Sequence, residues 1–215
     1  MMPESLYIYG ASGLGREIAQ LVEDINADGL TWDCKFLDDD TNKWGRWVGG
    51  YEVLGDASVI TQRSEPANVV VAIGDPIAKR DLVKRLTVGW VKFPTLIHPN
   101  VYMSKRSQIG YGSIIQAGCT LSVENRVGNH VFANFNVVVG HDVTIGDYCS
   151  IMTGTVLSGG VVLEEAVYVG TSVTTIQNIR LGAGCIVGAG ATVIRDVDPG
   201  ITVGGVPARP LHRSS

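Results

Sequence analysis

Residues 127–151, VGNHVFANFNVVVGHDVTIGDYCSI, carry an apolar side chain at every sixth position: Val127, Ala133, Val139, Ile145 and Ile151. Extending that step of six reaches Ile97 upstream and Val193 downstream through seventeen positions, of which sixteen are apolar and one, Thr175, is not. The residue two places before each is typically small or β-branched, as at Val131, Val137, Val143, Thr155, Val161, Val167, Val173 and Ala191. Glycine often follows, at 110, 128, 140, 146, 170, 182 and 188. A period of six fits neither the 3.6 of an α-helix nor the alternation of an isolated strand. It fits a triangular coil in which each side is one short strand plus a turn and three hexads close one circuit. The uninterrupted hexads supply five to six coils, stacked about 4.8 Å apart by parallel strand hydrogen bonding.

The rest of the composition agrees with such an array. The chain has 215 residues, 45% of them hydrophobic but only 7% aromatic, and 27 glycines; glycine costs backbone entropy wherever it is not required, so a repeated turn is the expected need. Cys119, Cys149 and Cys185 fall on the small inward hexad position and are expected as core filler, and the four cysteines with Cys34 show no zinc spacing. The net charge of −4, without a basic run, gives no footprint for a nucleic-acid backbone, so no nucleic acid is expected as partner. Neither a leader pattern nor an apolar run of about 20 residues is present, so no membrane span and a cytoplasmic location are expected.

Ahead of the array the chain reads as a small α/β layer. Leu6–Tyr9 is a strand, residues 10–15 (GASGLG) a tight loop, and Arg16–Ile25 a helix with Ile18, Leu21, Val22 and Ile25 on one side. A second strand, Cys34–Leu37, runs into Asp38, Asp39 and Asp40; a third, Val69–Ile73, ends in Gly74, and residues 77–86 return to helical spacing. Strand, glycine loop and helix place backbone N–H groups at a helix N-terminus, where they favour phosphate, and an acidic strand end about 20 residues later suits a ribose or base edge. Only one mononucleotide half fits before the hexads begin. Nucleotide-sugar binding, dinucleotide binding and a purely structural turn all remain open at this point. The expected organisation is 1–95 as a Rossmann-like nucleotide-sugar-binding unit, 96–200 as an all-β parallel β-helix, and 201–215 as a C-terminal tail.

Of the four histidines, His212 falls in the tail and His98 at the junction, while His130 reads as a turn residue or second-choice ligand. His141 precedes Asp142 at an outward place in its hexad. An imidazole there can act as a general base, with the carboxylate orienting the ring and stabilising its charged form; a solvated surface histidine beside a turn aspartate is the alternative. A γ-type carbonic anhydrase builds zinc on the same prism, but His98, His130 and His141 lack its pair five residues apart, so no metal is expected. A non-catalytic scaffold would explain the prism without explaining the glycine loop joined to His141 and Asp142.

The order of YGASGLG, FLDD, VAIGD, LIHP, the hexad array with its His-acid pair and GVPAR resembles the sialic acid O-acetyltransferase (NeuD-like) family and the UDP-4-amino-sugar N-acetyltransferases (PglD-like) of bacterial glycan pathways. The resemblance covers nearly the whole chain. It implies a left-handed β-helix, a homotrimer, and transfer of acetyl from acetyl-CoA to an amino or hydroxyl group of a nucleotide-linked sugar, with His141 as general base and Asp142 as its partner. An O-acetyltransferase acting on free sialic acid or another sugar is the variant reading. By the same resemblance Gly159 donates its backbone N–H to the oxyanion. Ser12, Gly13, Leu14, Asp38, Asp39 and Gly74 contact the nucleotide, and Asn134 the acceptor sugar, although asparagine is also a good turn residue. Ser150, Thr171 and Ala189 match acetyl-CoA contacts, with Arg209 of GVPAR a phosphate partner. The chain departs from the PglD-like pattern at Leu14 and Ser150, where those enzymes carry histidine.

Overall fold

A computed structural model describes residues 4–29 and 32–211. They divide into two compact units: one runs to Gly74 and resumes from Ala78 to Pro99, the other comprises Asp75–Ile77 and the chain from Asn100 onward.

In the first unit, β1 (Glu4–Tyr9) pairs in parallel with β2 (Trp32–Leu37) on one side and β5 (Ala67–Val71) on the other. With β6 (Val91–Lys92) at the edge, the sheet order is β2-β1-β5-β6. The inner strands read as continuous apolar runs because a parallel sheet is covered on both faces: Leu6, Ile8, Val69 and Phe36 are all fully buried. Helix α1 (Gly13–Ala27) buries Ile18, Ala19, Leu21 and Val22; α3 (Pro76–Leu86) follows β5. The third strand, expected from sequence to reach Ile73, ends at Val71, although the Ala72 N–H still donates to the Tyr9 carbonyl. A short hairpin, β3 (Trp47–Val48) with β4 (Tyr51–Glu52), the four-residue helix α2 (Ser58–Thr61) and β6 were not anticipated, because two- to four-residue elements carry too little periodicity to read.

The glycine loop is held by close backbone approach. Gly10 takes φ +113° and donates to the Leu37 carbonyl at 2.7 Å, while a Cβ on Gly15 would lie 1.9 Å from the Gly10 carbonyl oxygen. Backbone cannot swing aside as a side chain can. Gly15→Ala is therefore expected to destabilise this unit by about 3 kcal/mol or more, read as an early transition in thermal or urea unfolding; an unshifted transition would refute the packing role.

The second unit is a parallel β-solenoid of about six coils. Its first face stacks Ile114–Ile115, Phe132–Ala133, Ser150–Ile151, Tyr168–Val169 and Ile186–Val187. The second stacks Tyr102–Met103, Thr120–Leu121, Val138–Val139, Val156–Leu157, Thr174–Thr175 and Thr192–Val193. The third stacks Gln108–Ile109, Arg126–Val127, Thr144–Ile145, Val162–Leu163 and Arg180–Leu181. Partners stand three hexads apart, as the sequence period requires. The segment expected as a tail adds strand instead of leaving the body: Thr202–Gly204 pairs in parallel with the end of the first face, and Arg209–Pro210 returns antiparallel beside it. His212 lies outside the described residues.

Cys119, Cys149 and Cys185 are buried inside the prism. Burial pushes the Cys119 thiol up to about 11 and the Cys185 thiol to about 12, so these thiols stay protonated and act as small apolar filler.

The turns revise the expectation about glycine. One residue per hexad takes a left-handed backbone, from Gly112 to Gly190 in steps of six, and besides glycine the position is filled by Glu124, His130, Asn136, Asp142, Tyr148, Ala166, Ser172 and Asn178. The glycines that follow the apolar residue are required for a different reason. A Cβ on Gly140 would lie 2.7 Å from the Gly159 nitrogen, and one on Gly146 2.7 Å from the Glu164 carbonyl carbon; they allow one coil to sit directly on the next.

Candidate active site

His141 occupies the turn that leaves the second face, directly after Val138–Val139. The left-handed backbone of Asp142 (φ 58°) turns its carboxylate back toward the preceding residue, and Asp142 Oδ2 stands 2.7 Å from His141 Nδ1. Both side chains are 64% exposed. With Nδ1–H donating to that carboxylate, the tautomer leaves the Nε2 lone pair available to accept a proton.

The other side of the ring rests against the next coil. A Cβ on Gly159 would come within 2.5 Å of His141 Cε1 and Nε2, so only a residue without a side chain lets the imidazole lie there. Backbone bonds between coils fix this corner: the Gly160 N–H donates to the His141 carbonyl at 2.8 Å, and the Asn178 N–H to the Gly159 carbonyl at 3.0 Å. The exposed imidazole thus covers the buried Gly159, and a base nitrogen together with a nearby backbone amide is the minimum set for removing a proton from a nucleophile and stabilising the oxyanion it creates.

Thr171 and Ala189 are exposed on the turns that enter the second face; His141 and Gly159 sit on the turns that leave it, so within one chain the two groups border opposite edges of the same face. Ser150 does not join them. It is a first-face strand residue with a buried side chain. Asn134 is half-buried on an entering turn, and its Oδ1 accepts from the Phe135 N–H at 2.8 Å, the turn-stabilising use of asparagine. Arg209, whose Nη1 donates to the Ala208 carbonyl, lines a cavity of about 260 Å³ with Arg195 and the apolar Ile194 and Ile201. His130 is buried, stacked on Tyr148 at a ring separation of 5.4 Å with Tyr111 edge-on. His98 Nε2 stands 3.2 Å from Asp24 Oδ2 in the first unit. Among the described residues no group of three or more His, Cys, Asp or Glu is placed to hold a metal ion.

In the first unit the loop residues separate by role. Ser12 and Gly13 are exposed, and a Cβ on Gly13 would meet nothing within 4 Å, so the helix N-terminus is open to an incoming anion. Leu14 lies beside Gly74, whose added Cβ would be 3.9 Å from Leu14 Cδ2. Asp38 binds the loop itself: Oδ2 accepts from the Ala11 N–H and from Lys43 Nζ, each at 2.8 Å, and Oδ1 from the Asp40 N–H. Burial acts to raise the Asp38 carboxyl, but the Lys43 ammonium and these backbone donors outweigh it and hold it below the usual carboxylate range. Asp39 belongs to a second cluster. Tyr9 Oη donates to Asp39 Oδ1 at 2.5 Å, and Arg85 Nη2 lies 2.9 Å from both Asp39 oxygens and 2.7 Å from Tyr9 Oη.

These residues wall a crevice of about 480 Å³ at the carboxyl ends of β1 and β5, lined by Tyr9, Gly10, Asp38, Asp39, Ile73, Ala78, Asp81, Leu82 and Arg85. It opens where the sheet order reverses, the usual ligand position in an open α/β sheet. Of the residues expected to contact a nucleotide, Asp38 and Asp39 line it. Tyr9, Asp81 and Arg85 were not singled out from sequence; the one available signal was the four-residue spacing of Asp81 and Arg85 on a predicted helix.

Comparison with known proteins bears on both units. The PglD N-terminal domain family matches residues 5–86, and the bacterial transferase hexapeptide (six repeats) family matches residues 126–159. GDP-perosamine N-acetyltransferase from Escherichia coli O157:H7 is 33% identical over 214 residues, covering 96% of each chain. Among solved structures, the acetyltransferase domain of PglB from Neisseria gonorrhoeae in complex with acetyl coenzyme A has a TM-score of 0.88 at 31% identity, covering 98% of this chain and 100% of that one. A histidine-to-asparagine variant of perosamine N-acetyltransferase from Caulobacter crescentus, in complex with CoA and GDP-perosamine, has a TM-score of 0.87 at 26% identity, covering 97% of each chain. Spanning both units, these likenesses establish that the chain belongs to the PglD-like family of hexapeptide-repeat sugar acetyltransferases.

Proposed function

We propose that the protein transfers acetyl from acetyl-CoA to the amino group of a nucleotide-linked sugar for surface glycan synthesis in the cytoplasm. The observation that carries this reading is the His141 ring, oriented by Asp142 and seated on Gly159 at an exposed corner. The acceptor nitrogen attacks the thioester carbonyl carbon, and His141 Nε2 takes the proton it sheds. The Gly159 N–H donates to the oxyanion; when the tetrahedral intermediate collapses the C–S bond breaks, and His141 returns its proton to the departing CoA thiolate. The open loop at Ser12, Gly13 and Leu14 supports a diphosphate site, with Gly74 beside it and Asp38 holding the loop's shape. Asn134 remains assigned to the acceptor sugar, and Thr171, Ala189 and Arg209 to acetyl-CoA; the burial of Ser150 speaks for a structural role on its face.

The character of the second face supports a homotrimer. Its outward residues, Tyr102, Thr120, Val138, Val156, Thr174 and Thr192, carry no charge, whereas the third face presents Arg126 and Arg180. Val138 is 38% and Tyr102 66% exposed. In a cyclic head-to-tail arrangement, one prism's His141 edge meets its neighbour's Thr171 edge, which brings base and acetyl-CoA contacts into one cleft.

The test is acetyl-CoA turnover with a panel of nucleotide-linked amino sugars, following thiol release and the mass of the product. Acetylation of at least one amino sugar is expected, and light scattering should give three chains per particle. Faster acetylation of free sialic acid at oxygen would move the reading to O-acetylation, and turnover of none of these acceptors would overturn it.

A further inference from the structure

The crevice occupies one end of the first unit's sheet. At the other end, where β1 and β5 begin, roughly 16 Å of strand away from the glycine loop, a separate cavity of about 210 Å³ opens among Glu4, Ser5, Tyr7, Arg63, Asn68 and Lys92. Strand pairing assembles it. Leu6 stands beside Asn68, and Asn68 beside Lys92, so Asn68 and Lys92 project from one row of the sheet, with Glu4 on the same face two residues before Leu6. Asn68 Nδ2 donates to the Glu4 carboxylate at 3.2 Å.

We propose that this cavity binds a phosphorylated sugar, whose phosphate oxygens accept from the Tyr7 O–H, Arg63 and Lys92 while Glu4, Ser5 and Asn68 bond the hydroxyl groups of the attached ring. The site is distinct from the nucleotide crevice and does not depend on the acetyltransferase reading.

Three donors from three separate elements meet here with no acceptor to take them. Tyr7 is only 4% exposed, and its Oη accepts from Arg63 Nη1, so the phenol's own proton is left to donate and meets no acceptor among the described residues. A buried donor without a partner is costly, which points to an acceptor that arrives from outside. Arg63 is fixed in advance: Nη2 donates to Glu65 Oε2 at 3.0 Å, and the guanidinium carbon stands 5.7 Å from the Tyr7 ring centroid, while Nε bonds to nothing among the described residues. The Lys92 ammonium makes no hydrogen bond or ion pair among them either. Donors that converge from different elements suit the tetrahedral oxygens of a phosphate better than a planar carboxylate. Beyond them the lining is amide, hydroxyl and carboxylate, a mixture of donors and acceptors that sugar hydroxyls, being both, can satisfy. The cavity is several times the roughly 30 Å³ of one water in the liquid, so a bare phosphate ion would leave that half to solvent. Glu4 repels a second anionic group, which disfavours a diphosphate or a dicarboxylate.

The experiment is titration calorimetry of the full chain with glucose 6-phosphate, glucose 1-phosphate, glucose and inorganic phosphate, repeated in an excess of UDP and of GDP. At least one of the two sugar phosphates should bind about tenfold more tightly than inorganic phosphate or glucose, and neither nucleoside diphosphate should change that affinity by more than about twofold, because the glycine loop lies at the other end of the sheet. Lys92 is exposed and Tyr7→Phe keeps the buried ring, so Lys92→Gln and Tyr7→Phe are expected to fold, and melting curves check this. Each should weaken sugar-phosphate binding about tenfold or more, the loss expected of a hydrogen bond to a charged group. No binding of either sugar phosphate, binding no tighter than that of inorganic phosphate or glucose, displacement by a nucleoside diphosphate, or unchanged binding in both folded variants would each overturn the proposal.

Discussion

Replacing His141 by alanine is expected to lower kcat for acetyl transfer by about 10²–10⁴-fold, the usual contribution of a positioned general base, while changing the melting temperature little. The two halves of this expectation come from separate features. His141 is 64% exposed and contributes no core packing, so removing the ring leaves no cavity, and surface substitutions of this kind fall within about 0.5 kcal/mol. The chemistry has no substitute: among the described residues, Asp142 is the ionisable side chain that pairs with the ring, and its carboxylate is turned onto Nδ1. Steady-state kinetics at saturating acetyl-CoA, with binding of the nucleotide measured separately, separates loss of the base from loss of the acceptor. The nucleotide contacts proposed above lie in the other unit, so the dissociation constant for nucleoside diphosphate should stay within about twofold. A His141→Ala protein that keeps full kcat would remove the base assignment and favour a scaffold. Asp142→Asn should retain part of the rate, because the amide can still hold the ring but no longer stabilises its charged form.

The solenoid was legible because its defining contact repeats. Each hexad sends the same two positions inward, one large and one small, so Leu121, Val139, Leu157 and Val193 must all be apolar, and the period survives any single exception such as Thr175, whose buried hydroxyl accepts from the Ser158 N–H at 3.0 Å. The turns were less legible. The left-handed position accepts Glu124, Asp142, Tyr148 and Ala166 as well as glycine, at about 1–2 kcal/mol per non-glycine residue, so no residue type marks it. The glycines one step earlier looked like turn glycines but answer to the coil above them, a contact three hexads away that composition does not reveal. In the first unit the strand, loop and helix followed from local pattern, whereas the crevice did not. Tyr9, Asp39 and Arg85 come from three separate elements and meet only because β1, β2 and α3 converge at the carboxyl end of the sheet. His141 beside Asp142 could be seen in the sequence, since the two are neighbours. That Gly159 completes the corner could be reached only by resemblance until the stacking of coils placed it under the ring.

Gly159→Ala carries the second large effect, because it separates the placement of the base from everything else at the corner. The added methyl would fall 2.5 Å from His141 Cε1 and Nε2 and 3.0 Å from Cδ2, all of them atoms at the far end of an exposed side chain. The ring can swing away at little thermodynamic cost, and Gly159 has no positive φ that alanine would strain. Stability should therefore change by no more than about 0.5 kcal/mol. The backbone N–H assigned to the oxyanion remains in place, since the substitution adds only a Cβ. What is lost is the position of Nε2, and a displacement of about 1 Å at a reacting group costs on the order of 10²-fold in rate. The same logic makes the effect non-additive. Once His141 is alanine there is no ring to displace, so the double variant should be about as slow as His141→Ala alone. Gly140→Ala provides the contrast, because its Cβ would meet the Gly159 nitrogen at 2.7 Å and backbone cannot yield; that variant should lose stability as well as rate. If Gly159→Ala retained wild-type kcat, or if its effect multiplied that of His141→Ala in full, the imidazole would not be working from the position it occupies over Gly159.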